Sequence, residues 1–294
     1  MEVIVGKVEG INTSDGILNI AVVDSNKTTH NIKSSSDCRN LISQNLVYKF
    51  SVENMYGKLI LSKVEPVESL EAEEIMTLMK EFGGSSPIDY KDSVNVIYDY
   101  IEKIENKIIK DITKTLVDRN YKLFFTYPAA VRMHHAYAGG LAHHTIGMLN
   151  MVDSFISNYP YLNKDYLYAG VILHDIGKVK EFKSIQDTEY SIAGQLIGHL
   201  VIGGLEIEKL SVELGYQDSE EVMVLEHILI SHHGMPQFGA AKKPMTAEAL
   251  VIWYIDTIDS KFRVLGEELE KTQEGTFSEG IAVLDRIKVY KPKK

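Results

Sequence analysis

The apolar residues of this chain change period once, near residue 66, and that change limits what it can fold into. Before it, "LVYKFSVE" sets Leu46, Tyr48, Phe50 and Val52 against Val47, Lys49, Ser51 and Glu53, the two-residue alternation of a half-buried strand. "EVIVGKVEG", "ILNIAVVDS", "TTHNIKS" and "KLILSKVEPV" share its β-branched content and are bounded by turn residues, with a tight turn at Gly57 in "NMYGK". Between the third and fourth strands, "SSSDCRNLIS" predicts a short helix capped by Ser or Asp. Three strands, a helix and two strands is the order of an OB-fold barrel. Past "EPVESLEAEE" the period becomes helical. Ile75, Leu78, Met79 and Phe82 mark one helix face, which Gly83 and Gly84 end. Val94, Ile97, Tyr98, Ile101, Ile104, Ile108, Ile112 and Leu116 predict one long helix over 90–117. The expected class is α+β and multidomain: an OB-like barrel over 1–66, a helical connector over 67–124, and an all-α domain over 125–294.

Charge and cysteine content narrow the function. A net charge of −10 over 294 residues argues against coating nucleic acid by charge alone. A polyanionic substrate would have to meet local patches or metal ions. The single cysteine, Cys38, allows no disulfide within the chain and fits a reducing compartment. "MEVIVGKVEG" carries no secretion signal, and no apolar run approaches the roughly 20 residues of a membrane span. The expectation is a cytoplasmic protein with no membrane partner.

Nine of the ten histidines lie between His134 and His233. Within that span, "LHDIGK" places His174 beside Asp175 behind an apolar run, with Gly177 as the expected C-cap of the helix. Helix neighbours diverge by about 100°. Both side chains then reach one site only if it lies beyond the helix end or spans two ions, which a carboxylate can bridge. Lys178, just past the cap, can swing back to pair with a phosphate oxygen. The companions are His143 and His144 in "GGLAHHT", His199 in "IGHL", His232 and His233 in "SHHG", and Asp256 and Asp259 in "YIDTIDSK". One member of each doublet is expected to face the site. Histidine and carboxylate ligands suit Mn, Fe, Co, Zn, Mg or Ni, and the absence of nearby cysteine excludes a structural zinc finger. His30, His143 and His227 read as ordinary packed or polar histidines.

The order H…HD…H…HH…D resembles the HD superfamily of metal-dependent phosphohydrolases. "YPAAVRMHHAYAGGLAHHTIGML", "LHDIGKVKEF", "ISHHGMPQFGAAKKPMTAEAL", "YIDTIDSK" and "GTFSEGIAVLDRIKVYKP", behind a small barrel, resemble the YhaM-type 3′→5′ exoribonucleases. The resemblance covers roughly 125–294. It implies His144, His174, Asp175 and Asp256 as core metal ligands, with His199 and one or both of His232 and His233 completing a two-metal site. It gives Asp175 and Lys178 catalytic roles and makes His134, His135 and Lys178 candidates for substrate contact, with support of the ligands or packing as the other readings of His134 and His135. Arg132 is a candidate phosphate contact, with a surface charge as its other reading. It also implies divalent ions, manganese first among Mn, Co, Fe, Mg and Zn, and single-stranded RNA, with single-stranded DNA as a further substrate, cut to 5′-monophosphates. Asp259, one turn after Asp256, would stand behind the ligands. Lys242 and Lys243 in "AAKKP" could face a phosphate backbone. Tyr48, Phe50 and Tyr56 could stack bases on the barrel, with barrel core as the other reading of Tyr48 and Phe50. The barrel is about neutral, so assembly into a homo-oligomer competes with RNA binding as its role. "HHGMPQFGA" lacks the GYP signature of cyclic-dinucleotide phosphodiesterases. The rival readings are an HD phosphohydrolase for free or signalling nucleotides and a non-catalytic nucleotide-binding protein.

Overall fold

The computed structural model describes residues 1–130, 137–186 and 189–293. The chain forms two units, Met1–Ser85 with Ser184–Asp187, and Ser86–Lys183 with Thr188–Lys294.

In the first unit, β1 (Glu2–Ser14), β2 (Ile17–Val23), β3 (Thr29–Ser35), β4 (Val47–Met55) and β5 (Lys58–Pro66) close a barrel in the order β1-β2-β3-β5-β4, with β4 returning to β1. All pairings are antiparallel except β3 with β5, where Ile32 faces Leu59 and Lys33 faces Ile60 in parallel. This is the OB-like topology expected from the strand order. The expected short helix is a 3₁₀ segment, Ser36–Leu41, capped by Ser35. Alternation fills the barrel: Leu18, Ile20 and Val22 from β2 are fully buried with Phe50 and Val52 from β4. Tyr48 belongs to that core too, its hydroxyl accepting the Ser43 N–H at 2.9 Å. Tyr48 and Phe50 therefore offer no face to a base, and Tyr56, on the β4–β5 turn, is fully exposed. The half-buried reading of β4 fails at Val47 and Ser51, which are also buried. The Gln186 side-chain amide takes up both the N–H and the C=O of Val47, at 2.7 and 3.0 Å. Helix α1 (Ala72–Glu81) follows the barrel, and Gly83 ends it at φ +77°.

The second unit is helical: α2 (Tyr90–Glu102), α3 (Lys107–Arg119), α4 (Tyr121–Thr126), α5 (Gly140–Asn158), α6 (Lys164–Leu173), α7 (Lys178–Glu181), α8 (Ile192–Leu196), α9 (His199–Leu214), α10 (Glu220–Ser231) and α11 (Ala247–Lys271), then a small hairpin of β6 (Thr276–Phe277) and β7 (Tyr290–Lys291). The long helix expected over 90–117 is two helices. The apolar period runs on through Ile104, but the buried carboxylate of Asp165 accepts the N–H groups of Glu105 (3.2 Å) and Asn106 (2.7 Å). A continuous helix would have sent those N–H groups to carbonyls one turn back. Asn106 then caps α3, accepting from Ile109 N–H at 3.1 Å.

Helix α6 lies at the centre, buried from Leu167 to Leu173. Asn163 caps its start, accepting from the N–H groups of Asp165 and Tyr166. At Gly170 it packs tightly against α11, where a Cβ would lie 2.4 Å from Ile252. His174 and Asp256 each lie four residues after that crossing, so the same contact that packs the core brings both to one level. No helix among the described residues is long and apolar enough to cross a membrane.

Candidate metal centre

Five histidines and two aspartates converge within the second unit, all but Asp256 near a helix end. His174 caps α6 and Asp175 follows it in the turn before Lys178 opens α7. His144 comes from the first turns of α5, His199 opens α9, His232 and His233 follow α10, and Asp256 projects from α11. They form two groups whose ligand atoms lie within 4.8 Å of one another: His144, His174 and Asp256, and His199, His232 and His233. Asp175 joins the groups. Its Oδ2 is 3.2 Å from His174 Nε2, and its Oδ1 is 3.3 Å from His199 Nε2 and 3.8 Å from His232 Nε2.

Every one of these histidines is held by its Nδ1. His174 meets the carbonyl of Val171 at 2.7 Å, His232 that of Leu229 at 2.8 Å, and His233 that of Phe238 at 2.7 Å. His144 meets Asp259 at 2.8 Å and His199 meets Glu181 at 2.9 Å. An acceptor at Nδ1 keeps the proton there and leaves the Nε2 lone pair as the ligand. Four of these Nε2 atoms have a close approach inside the centre: His144 and His174 to each other at 3.3 Å, and His199 and His232 to Asp175.

The electrostatics agree with that arrangement. Burial, with His233 and His174 alongside, keeps His232 neutral well below the ordinary imidazole range. Burial and the neighbouring His199 lower His233 as well. Neutral imidazole is the form that binds a metal. Burial opposes ionisation of Asp175, yet Lys178 and His174 hold its carboxyl well below the usual carboxylate range. Burial opposes protonation of His144, but its hydrogen bonds to Asp256 and Asp259 prevail and push its pKa up to about 9. His144 is the exception among these imidazoles: its Nε2 also faces Asp256 at 3.2 Å and carries a proton at neutral pH, which has to leave before that nitrogen can ligate a cation. Among the described residues, Asp175 Oδ1, His199 Nε2 and His232 Nε2 are buried without a hydrogen-bond partner. Such atoms are costly in a folded interior. Here all three face one another, so a cation between them would satisfy them together. The donor set, imidazole and carboxylate without thiolate, fits a divalent metal.

Two local expectations are corrected. Gly177 is not a left-handed cap; its φ is −63° and it precedes α7. Its lack of a side chain serves packing, since a Cβ there would lie 2.1 Å from the His199 carbonyl oxygen. Nor does each doublet offer one member only. His174 and Asp175 both face the centre, as do His232 and His233, because each pair sits at the C-terminal end of its helix, where a site beyond that end is within reach of both side chains. The other two doublets do divide. His143 turns away to meet the Tyr137 hydroxyl at 2.6 Å, and Asp259 stands behind His144. His227 accepts from Met245 N–H and His30 meets Asp24.

Lys178 reaches back as its position suggested, with Nζ 2.7 Å from Asp175 Oδ2 and 2.6 Å from the Ala129 carbonyl. Arg132, His134 and His135 lie outside the described residues. Sequence reasoning missed Glu181, a buried carboxylate accepting both the N–H and the Nδ1–H of His199 at 3.0 and 2.9 Å. Its signal was an acid three residues after Lys178 between apolar Val179 and Phe182.

The HD domain family matches residues 141–261, the span holding every residue of this centre. The chain is 42% identical over 212 residues to the 3′-5′ exoribonuclease YhaM of Bacillus licheniformis, covering 72% of this chain and 67% of that protein. It is 39% identical to the YhaM proteins of Bacillus subtilis and Bacillus pumilus, over 80% of this chain in each case and 73% and 74% of theirs. No solved structure matches it. A closed five-stranded barrel ahead of an HD domain, and this identity over most of both chains, lead to one conclusion: the chain belongs to the YhaM family of HD-domain proteins.

Proposed function

We propose that the protein is a metal-dependent 3′→5′ exoribonuclease that releases nucleoside 5′-monophosphates from single-stranded RNA. Two three-ligand groups joined through one carboxylate, in a chain so similar to 3′-5′ exoribonucleases, carry this reading. His144, His174 and Asp256 would hold one divalent ion, His199, His232 and His233 a second, and Asp175 would touch both. Manganese is the proposed metal, with cobalt, iron, magnesium and zinc as the other members of the panel to test. When bound, the ions supply Lewis acidity toward the phosphodiester oxygens and make the attacking water more acidic. The chain's own residues do the rest. The Nδ1 contacts aim the five imidazoles before any ion arrives, and Asp175 keeps Lys178 beside the place where negative charge accumulates. Residues 125–294 would be the catalytic domain, 67–124 its connector, and the barrel at 1–66 either an RNA-binding or an assembly module, in a cytoplasmic setting. Attack by water needs no 2′-hydroxyl, so single-stranded DNA is a further proposed substrate.

End-labelled RNA tests the reading. With a 5′ label and a divalent metal, full-length RNA should shorten progressively. Immediate release of a labelled mononucleotide would mean 5′→3′ action, and discrete internal fragments an endonuclease.

Glu181→Gln is expected to keep the fold and weaken binding at the His199 group by about 10- to 100-fold, because an outer carboxylate raises the basicity of the imidazole it orients. Calorimetric titration of the metal-free protein with manganese measures this. Two isotherms of wild-type affinity would remove Glu181 from the account.

A further inference from the structure

A cavity of about 410 Å³ opens beside the metal centre, lined by His233, Phe238, Trp253, Asp256, Thr257, Ser260 and Lys261. It lies within the roughly 300–1,000 Å³ of small-molecule pockets. Asp256 belongs to one ligand group and His233 to the other, so whatever fills the cavity borders both. Five of the lining residues, Trp253, Asp256, Thr257, Ser260 and Lys261, are spaced as one face of α11. The other two come from the segment after α10.

Two aromatic side chains bound this space. Phe238 is 64% exposed. Trp253 is half-buried and held by its neighbours: a Cβ on Gly234 would lie 1.9 Å from its indole ring, and the Tyr254 ring stacks on it with centroids 5.0 Å apart. The polar part of the lining, apart from the centre's own residues, is two hydroxyls and one ammonium. The Thr257 hydroxyl can rotate to donate or accept, and the Ser260 hydroxyl, which donates to the Thr257 carbonyl at 3.2 Å, keeps its lone pairs to accept, so the pair tolerates different base edges. Aromatic faces are equally tolerant, because every base has a π-face.

We propose that this cavity seats the 3′-terminal nucleotide, with its base against Trp253 and Phe238, its scissile phosphate at the Asp256 side and Lys261 toward the neighbouring phosphate. The seat accepts all four bases, as an enzyme that removes residues in succession requires. This inference rests on the exoribonuclease reading and adds to it the residues that hold the leaving nucleotide.

Trp253 is the chain's single tryptophan, so its emission reports on this cavity alone. Full-length protein is titrated with AMP in magnesium buffer, then with CMP, GMP and UMP, with ribose 5-phosphate as the base-free control. Saturable quenching by all four monophosphates and none by ribose 5-phosphate is expected. Phe238→Ala, at an exposed position that should not disturb folding, should weaken AMP about ten-fold and raise KM for RNA about ten-fold. Absence of saturable quenching, or equal quenching by ribose 5-phosphate, would overturn the seat. The two readings fail separately. RNA shortened by a protein that shows no AMP quenching, with KM unchanged in Phe238→Ala, removes the seat and leaves the activity. Base-dependent quenching in a protein that never shortens RNA keeps a nucleotide seat and removes the activity.

Discussion

Asp175→Asn is expected to lower kcat on single-stranded RNA by about a thousand-fold or more, a loss at the upper end of those seen when one charge-stabilising group leaves an active site. The substitution keeps the shape and removes the charge. Asp175 Oδ2 lies by His174 and Lys178 while Oδ1 faces His199 and His232, so one amide in its place spoils both ligand groups at once. Metal content by mass spectrometry should fall from two ions per chain to one or none. The metal-free variant should also lose stability, because the half-buried Lys178 keeps the Ala129 carbonyl but loses its anion, a break that costs less than the roughly 3–5 kcal/mol of a fully buried pair. Adding Lys178→Met should recover much of that stability and none of the metal. Wild-type turnover and two bound ions in Asp175→Asn would sink the two-ion assignment.

Gly177→Ala is the second large effect. At φ −63° alanine is under no backbone strain there, so the whole cost is steric. Its methyl would meet the His199 carbonyl at 2.1 Å, and backbone on one side or the other has to give. Forcing one extra carbon into a packed interior costs about 1–3 kcal/mol. The displacement also lands on a ligand, since His199 opens α9. The expected result is a melting temperature lower by several degrees and weaker manganese binding, read by calorimetry on the same preparation. Gly177→Asn should do at least as much harm. Had the residue been a left-handed cap, asparagine would have been the tolerated choice, so the asparagine variant separates the two accounts. A Gly177→Ala protein with wild-type melting and metal affinity would refute the contact.

Much of the barrel was legible because β-strands carry their environment in a two-residue period. Tyr48, Phe50 and Val52 pointed inward as their alternation predicted. Of the two exceptions, Val47 and Ser51, Val47 bonds through its backbone to Gln186, 139 residues on, which no local pattern encodes. The helical unit was legible as helix and less so in its breaks. Ile101, Ile104 and Ile108 keep one apolar face whether the chain runs straight or turns, and the turn is made by Asp165, about 60 residues downstream.

What the sequence determined by itself was the chemistry available: which side chains can ligate, their order along the chain, the closed barrel ahead of them and the family to which they belong. These follow from residue type and short-range period. Only the tertiary structure decided that both members of the HD and HH doublets face inward, that Glu181 and Asp259 stand behind His199 and His144, and that Gly177 serves packing rather than capping. The physical reason is that ligand direction past a helix end is set by contacts distant in sequence. The crossing of α6 over α11 at Gly170 and Ile252 holds His174 and Asp256 at one level, and a periodicity read within a single helix contains no term for where the next helix packs.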